Sequence, residues 1–597
     1  MKPQIGFQKH YYKLEAFRIK YLQVKRLKNL KSFKAEMIEM SMDNLHPDPR
    51  RLFLALKAAK LFTSLSLDIS DSEEAHFRRF RRGLLGLKKL RRLKLNFVST
   101  RLLPFSFELK HIYRSLQRLK SIVSLSLDLT HNYNDFEHCL KGLFISLKKL
   151  PVLSRLRLIF KSISFSDQKM MEFAKILRRL RLLSRFDFNY SGCFQITKKG
   201  MTALNTSIKN LKKLKSLEIW YNFVSTQDQE IQPFNNSLRA LPQLENLSLE
   251  ATINSYLPLV RFPLEHFRKW VIFLRNQKAL QTLKLNLSTL DLNDQVIRVL
   301  LLSLNHLKNL SNLTLLLYSA SVTDKGIFLL FEFIKTLKNL SILHLTLSDV
   351  ECLTDLSLGY ISTALPELPL LTNLTLSFHR WKLTEKGIEE FMKSVGAVKN
   401  LKKLSLDFST VFSSPNEPRI LLQELGNLKS LTLLNLDLER NTCLDDDCFE
   451  NLSQSLGQLK NLTGLNLNLS FSQDITDKGA EQISRKVRDL PVLRNFEFKL
   501  HNCKNISDAF LVQLGDDLKH MKYLEKFSFD VGFCSQTTLQ GKLKLLQGLR
   551  ESGKGLSSVN ISFKERRGPP LDELKAFIRY HFKGILFKFD KEPLRFV

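Results

Sequence analysis

The sequence predicts an α/β solenoid: about 18 strand–helix repeats of about 31 residues, with a parallel sheet on the concave side and helices on the convex side. Three observations predict it. The pattern LxxLxLxL recurs almost everywhere, as in LTNLTLSF (371–378), LKKLSLDF (401–408), LTLLNLDL (431–438) and LTGLNLNL (462–469). Within each copy the apolar alternation of a strand gives way, about ten residues later, to apolar residues three and four apart. The switch is marked by a recurring small polar residue suited to starting a helix.

The second apolar position of the pattern falls at 33, 65, 93, 125, 156, 186, 217, 247, 283, 313, 343, 374, 404, 434, 465, 496, 527 and 559. LxLxL alternates with period two, as a strand with one buried face must. The helix starts read ITKKGM (from 196), VTDKGI (322), LTEKGI (383), LDDDCF (444), ITDKGA (475) and ISDAFL (506). Their Thr, Ser or Asp can accept from a free amide of the first turn, and in all but ISDAFL a small residue three places on lets the helix lie close to its neighbour. In DKGAEQISRKVRDL, Ala480, Ile483, Val487 and Leu490 fall on one helical face. Ends such as LKNL and LKKL put cations where the helix terminus is negative. A unit of this size buries too little apolar surface to offset its ordering entropy, so neighbours must share one core.

These residues divide the chain into a basic capping segment (1–29), the solenoid (30–563) and a C-terminal cap (564–597). The first copy, LKSFKAEM, is degenerate, and ILFKFD at 585–590 is a further strand-like piece in the cap. The first 29 residues carry no acid before Glu15, which a mitochondrial presequence would share. They run into the first repeat without a break and lack the apolar core of a secretory signal, which favours a cap. No run approaches the ~20 apolar residues of a membrane span.

On these repeats the chain resembles leucine-rich-repeat proteins of the ribonuclease-inhibitor-like and F-box-type classes. That resemblance implies a horseshoe whose concave sheet binds other proteins. Two features depart from it. The family's Asn, three residues after LxL, is often Ser or Thr here (Ser288, Ser348, Ser409, Ser470, Thr130) and only sporadically Asn, as at Asn222. No F-box-like segment precedes the repeats, which argues against an adaptor of that type.

The formal net charge is +34, with 92 Lys or Arg against 58 Asp or Glu. Residues 1–200 carry 42 against 16, so the charge is concentrated early. The stretch HFRRFRRGLLGLKKLRRLKLNF (76–97) is one repeat of this basic region. Phe77, Phe80, Leu84 and Leu87 share a helical face, with Arg78, Arg79 and Arg82 opposite. Arg114, Arg118, Lys175, Arg178 and Arg179 extend a convex patch along neighbouring helices. Such a patch suits RNA or another polyanion, although Phe77 and Phe80 face the core and cannot stack on bases.

Between the leucines the strands carry nine carboxylates against four Lys or Arg, an acidic concave face within a basic protein. Trp220 stands out there, flanked by Asn189 and Glu250 and near Asp187 and Glu218. Asp187, Glu218, Trp220, Glu250, Asp407 and Asp437 are the expected contacts with a partner, favouring a basic one.

No phosphate-binding GK[ST] loop, kinase set, GxSxG or HExxH occurs. The sequence therefore implies no enzyme, no cofactor and no small-molecule substrate. Cys443 and Cys448 bracket three aspartates, but LDDDCF occupies the helix-start slot, so capping accounts for them and no metal is expected. Seven scattered Cys without Cys-x-x-Cys suit an intracellular, reducing compartment, most simply the cytoplasm. The expected function is a non-enzymatic protein-binding scaffold using the concave face. The alternative is an RNA- or ribonucleoprotein-associated factor using the basic convex face.

Overall fold

The structure, a computed structural model, describes residues 32–37, 62–69, 81–97, 106–130, 137–193, 195–223, 228–253, 264–287, 292–318, 321–347, 353–552, 555–564, 572–582, 586–589 and 592–593. The segment 1–29, Phe77, Phe80, Arg78 and Arg79 lie outside these residues. The chain forms two compact units, Met1–Val260 and Arg261–Phe596.

In the first unit β1 (Ser32–Met37), β2 (Ser64–Ile69), β3 (Arg92–Asn96), β4 (Ser124–Asp128), β5 (Arg155–Ile159), β6 (Arg185–Asn189), β7 (Ser216–Phe223) and β8 (Asn246–Ile253) pair in parallel, each with the next. In the second, β9 (Thr282–Asn286), β10 (Asn312–Leu316), β11 (Ile342–Thr346), β12 (Asn373–Ser377), β13 (Lys403–Asp407), β14 (Leu433–Asp437), β15 (Gly464–Asn468), β16 (Asn495–Lys499), β17 (Lys526–Asp530), β18 (Ser558–Ser562) and β19 (Leu586–Phe589) do the same. β20 (Glu592–Pro593) then pairs antiparallel with β19.

Register follows the sequence pattern directly. The second apolar residue of each copy is the second residue of its strand and pairs with its counterpart: Leu65 with Leu93, Leu434 with Leu465, Phe527 with Val559. The strand foreseen in ILFKFD is β19. Residues two and four of β3, β13 and β14 are buried while one, three and five reach the surface, which is the alternation of a strand packed on one side. The helices supply the other half of the core: Ala480, Ile483, Val487 and Leu490 are all buried.

The helix starts do more than cap their own helices. Thr197, Thr323, Thr384, Thr476, Ser507 and Asp445 each accept an amide of the first turn through their side chains. The following residue is usually Asp, and its carboxylate reaches the cap of the next repeat. Asp294 accepts from Thr323 N at 2.8 Å and Oγ1 at 2.6 Å. Asp324 does the same to Thr354, Asp355 to Thr384, Asp446 to Thr476, Asp477 to Ser507 and Asp508 to Thr538. In the first unit Asp167 holds Thr197 in the same way. The conserved-looking glycine of the TDKG slot is explained by this carboxylate. A Cβ on Gly200, Gly326, Gly387, Gly479 or Gly541 would run into the aspartate of the preceding repeat.

A second ladder lies beyond the strands. The residue four places after the strand end donates a side-chain hydrogen bond to a carbonyl of the preceding repeat. Cys193 reaches Phe160 O, Trp381 reaches Leu347 O, Asn441 reaches Phe408 O, Cys503 reaches Leu469 O and Cys534 reaches Leu500 O. The Ser or Thr in the family's Asn position turns instead to its own loop: Ser409 N and Oγ donate to Asp407, and Thr130 N and Oγ1 to Asp128. The ladder expected to be irregular is thus carried two residues later by Cys, Asn and Trp.

Gly387→Ala is expected to lower the denaturant midpoint, costing roughly 1–3 kcal/mol through the wedge against Asp355. Gly359→Ala, in a helix (Asp355–Ala364) with nothing within 4 Å of the new Cβ, should raise it by up to about 1 kcal/mol. Asn441 is 1% exposed and satisfies Val411 N, Phe412 N, Phe408 O and Leu438 O at once. Asn441→Ala strands these groups and should cost about 3 kcal/mol or more in the same measurement.

Candidate partner-binding surfaces

The strands whose side chains are described present their first, third and fifth residues away from the helices, making an open polar face. Positions three and five carry the nine carboxylates and four cations read from the sequence. Position one belongs to the same face, and across β2–β18 it adds Arg92, Arg155, Arg185, Lys403 and Lys526 with no carboxylate. With position one counted, β2–β18 carry nine cations against nine carboxylates, so the net-acidic face expected from positions three and five is corrected to one balanced in charge.

In the first unit Trp220 stands in register between Asn189 on β6 and Glu250 on β8, as the sequence reading placed it. Trp220 and Glu250 are half-buried. Asp187 and Glu218 are neighbours one position earlier. Asp187 is only 3% exposed, because Arg185 Nε donates to both of its oxygens at 3.1 and 3.0 Å. Burial pushes its carboxyl above the usual carboxylate range, against the lowering pull of Arg185 and Arg157. Asp187, expected among the contacts, lies beneath the Arg185 guanidinium that it accepts from. The same guanidinium lies 3.7 Å from Glu218 Oε2.

In the second unit Asp407 and Asp437 are cross-strand neighbours in a polar pocket of about 260 Å³, together with Asn435, Asn466 and Asn468. Asp437 accepts from Asn468 Nδ2 at 3.0 Å and from Glu439 N at 3.0 Å. Asp407 accepts from Ser377 Oγ at 2.8 Å. Burial raises the Asp437 carboxyl above its usual range; the Asn468 hydrogen bond opposes this, and the Asp407 and Glu439 charges add to it.

On the helix side Arg82, Arg114, Arg118, Lys175, Arg178 and Arg179 are all exposed, so this part of the expected basic patch is accessible. A groove of about 330 Å³ runs between the helices Glu137–Lys148 and Asp167–Leu177. Ile145 and Ile176 form its apolar part, and Lys141, Lys148, Lys175 and Arg179 its rim.

The three aspartates near Cys443 all have structural partners. Asp445 caps Cys448 N, Asp446 holds Thr476, and Arg419 bridges Asp445 at 2.6 Å and Asp447 at 3.1 Å. Among the described residues no group of three or more His, Cys, Asp or Glu is placed to hold a metal ion. No described helix is long and apolar enough to cross a membrane.

Parallel strands in register, helices in the described returns and side-chain ladders between repeats define a leucine-rich-repeat solenoid. No family model matches the chain, and no curated protein matches its sequence. Solved structures it is similar to include the Rad7 and Elc1 complex in yeast, with a TM-score of 0.35 and 16% identity over 83% of this chain and 90% of that one. A TLR13–ssRNA13 complex gives 0.31 and 14%, covering 90% and 86%.

The ladder thiols were missed as functional groups of the fold, although Cys503 and Cys534 stand one period apart. Burial pushes Cys193 and Cys534 up to about 12 and raises Cys503 as well. Cys443 is pushed up to about 11 and is partly exposed. Of the five described cysteines, Cys443 is expected to alkylate first at pH 8, with Cys193, Cys448, Cys503 and Cys534 protected until unfolding. Peptide mapping of a timed alkylation checks this.

Proposed function

We propose that the protein is a non-enzymatic scaffold that binds a protein partner on its open sheet face. The observation that carries this reading is the pocket around Asp407 and Asp437. Two neighbouring carboxylates are partly desolvated, repel each other and are held by fixed amides, and Lys499, which shares the pocket, is paired with Glu497 at 2.8 Å, so a partner's Lys or Arg side chain would relieve them further. In the first unit Glu218, Trp220 and Glu250 offer a second contact area, an aromatic with carboxylates beside it. Backbone spacing fixed by the ladders keeps the ordering cost of association low. The partner this chemistry favours is basic. Five unpaired cysteines support an intracellular location, with the cytoplasm as the simplest compartment.

A second reading, association with RNA or a ribonucleoprotein, is favoured by the accessible Arg114, Arg118, Arg178 and Arg179 on the helix side. The two separate in one experiment, affinity purification with and without ribonuclease. The scaffold reading expects a protein partner that survives ribonuclease and is lost with Trp220→Ala or with Asp407→Asn and Asp437→Asn together. Loss on ribonuclease treatment, with binding reduced by Arg114→Glu and Arg178→Glu and falling steeply with salt, would instead establish the RNA reading.

The pH dependence has a definite sign. A carboxyl raised in the folded state stabilises the fold most when protonated, and that contribution is lost as pH rises through its folded value. Asp437→Asn should therefore leave stability at pH 7 equal or higher while weakening a basic partner. Affinity of the unaltered protein should fall as pH drops through the raised Asp437 range. Denaturation midpoints and binding titrations at pH 7 and below check both.

A further inference from the structure

We infer that the open face of the first unit also carries a site of opposite sign, a pocket for one phosphate monoester presented by a phosphorylated side chain of a protein. A pocket of about 260 Å³ opens over β4–β6. Its floor is set by Ser124 and Ser126, whose short side chains leave space between longer cationic neighbours. Register places Arg92 and Arg155 on either side of Ser124, and Lys94 and Arg157 on either side of Ser126. Arg155 and Arg157 line the pocket, while Arg92 and Lys94 flank it from a strand roughly 10 Å away, near enough for their long side chains to reach one tetrahedral anion from the other side. Arg92, Lys94 and Arg155 are exposed and make no ion pair among the described residues. Arg185 closes the third side, and the Asp187 carboxylate, which also lines the pocket, is 3% exposed and covered by that guanidinium.

The same geometry selects the ligand. The cations stop at β6, where Asp187 begins a run of carboxylates continued by Glu218 on β7 and Glu250 on β8. A nucleic-acid backbone crossing this face would bring its next phosphates onto those acids. No aromatic side chain lines the pocket, so nothing there stacks a base. The pocket-lining side chains are polar or charged apart from Leu125 and Leu156, which face the core, and that is a poor seat for a lipid surface. A phosphate monoester has the compact double charge and three acceptor oxygens that several cations and two hydroxyls can share, which a carboxylate lacks.

The test uses the full chain and a fluorescent alanine-based peptide with one central phosphoserine. The phosphopeptide should bind at least tenfold more tightly than its serine and glutamate versions, and inorganic phosphate should displace it. Binding should strengthen from pH 5 to pH 7, as the phosphate gains its second charge near pH 6. Arg155→Ala and Arg157→Ala should each weaken binding at least tenfold with unchanged melting, while Arg178→Ala on the helix side leaves it unaltered. Equal affinity for the serine peptide overturns the proposal, as does binding that survives Arg155→Ala with Arg157→Ala. So does a single-stranded RNA that binds where the phosphopeptide does not. None of these readouts depends on Trp220 or Asp437, so failure here and failure of the basic-partner reading are distinguishable.

Discussion

The stacking of this fold rests on directional polar bonds between repeats, and in seven of the described repeats the bond comes from one carboxylate at the same position. The aspartate at the first helical position sits where the helix dipole is positive, so it stabilises its own helix. It also accepts the backbone amide and hydroxyl of the next repeat's cap, as Asp477 does for Ser507 and Asp508 for Thr538. A single charge therefore serves two helix ends, and a bond to a charged group stabilises by roughly 1.5–3 kcal/mol. Apolar contacts between leucines are nearly indifferent to small slips along the stack. The aspartate bond is directional, and it fixes how far each helix advances on the last.

What could be read from the sequence follows from this physics. Register was legible because period-two alternation leaves no choice about which residues face inward, so Leu434 had to meet Leu465. Capping was legible because Thr, Ser and Asp accept first-turn amides through local geometry alone. Cross-repeat roles were not. Nothing within TDKGI says that its Asp serves the following repeat, or that its Gly yields to the Asp of the preceding one. Cys503 and Cys534 read as unremarkable thiols until their sulfurs are seen against carbonyls 34 residues away. Asp187 looked exposed because strand parity puts it on the open face, but parity does not reveal that Arg185 folds over it.

The corner after each strand shows how the open face is held. The residue three places beyond the strand takes a positive φ: Ser162, Arg380, Thr410, Arg440, Phe471, Asn502 and Phe533. Among the described corners one equivalent is glycine, Gly192. Side-chain-bearing residues there each cost of order 1–3 kcal/mol, and the structure supplies the compensation. Thr410 N donates to Glu439 O, Arg440 N to Ser470 O and Phe471 N to His501 O, so the strand ladder continues past the sheet. Asp407, Asp437 and Asn468, at the strand ends, accept amides of the same corner. Asp407 and Asp437, proposed for partner binding, thus also shape the turn, which holds their side chains in place.

That dual use bears on where the stack can tolerate variation. Between Asp355 and Asp446 the aspartate bond is missing for the helix Asn416–Glu424, whose first turn instead has Glu417 accepting from Ser413 and Ser414 within the same loop. These bonds satisfy loop amides just before the helix but join nothing to the next repeat. The join is made elsewhere, by Asn441, which ties Phe408 O, Val411 N and Phe412 N to its own corner. Arg419 adds a second link by reaching Asp445, the cap of the following helix. Coupling that is concentrated on one side chain elsewhere is spread here over a buried amide and an ion pair. The requirement conserved from repeat to repeat is therefore a directional polar bond across the boundary, and the residue that supplies it is free to change.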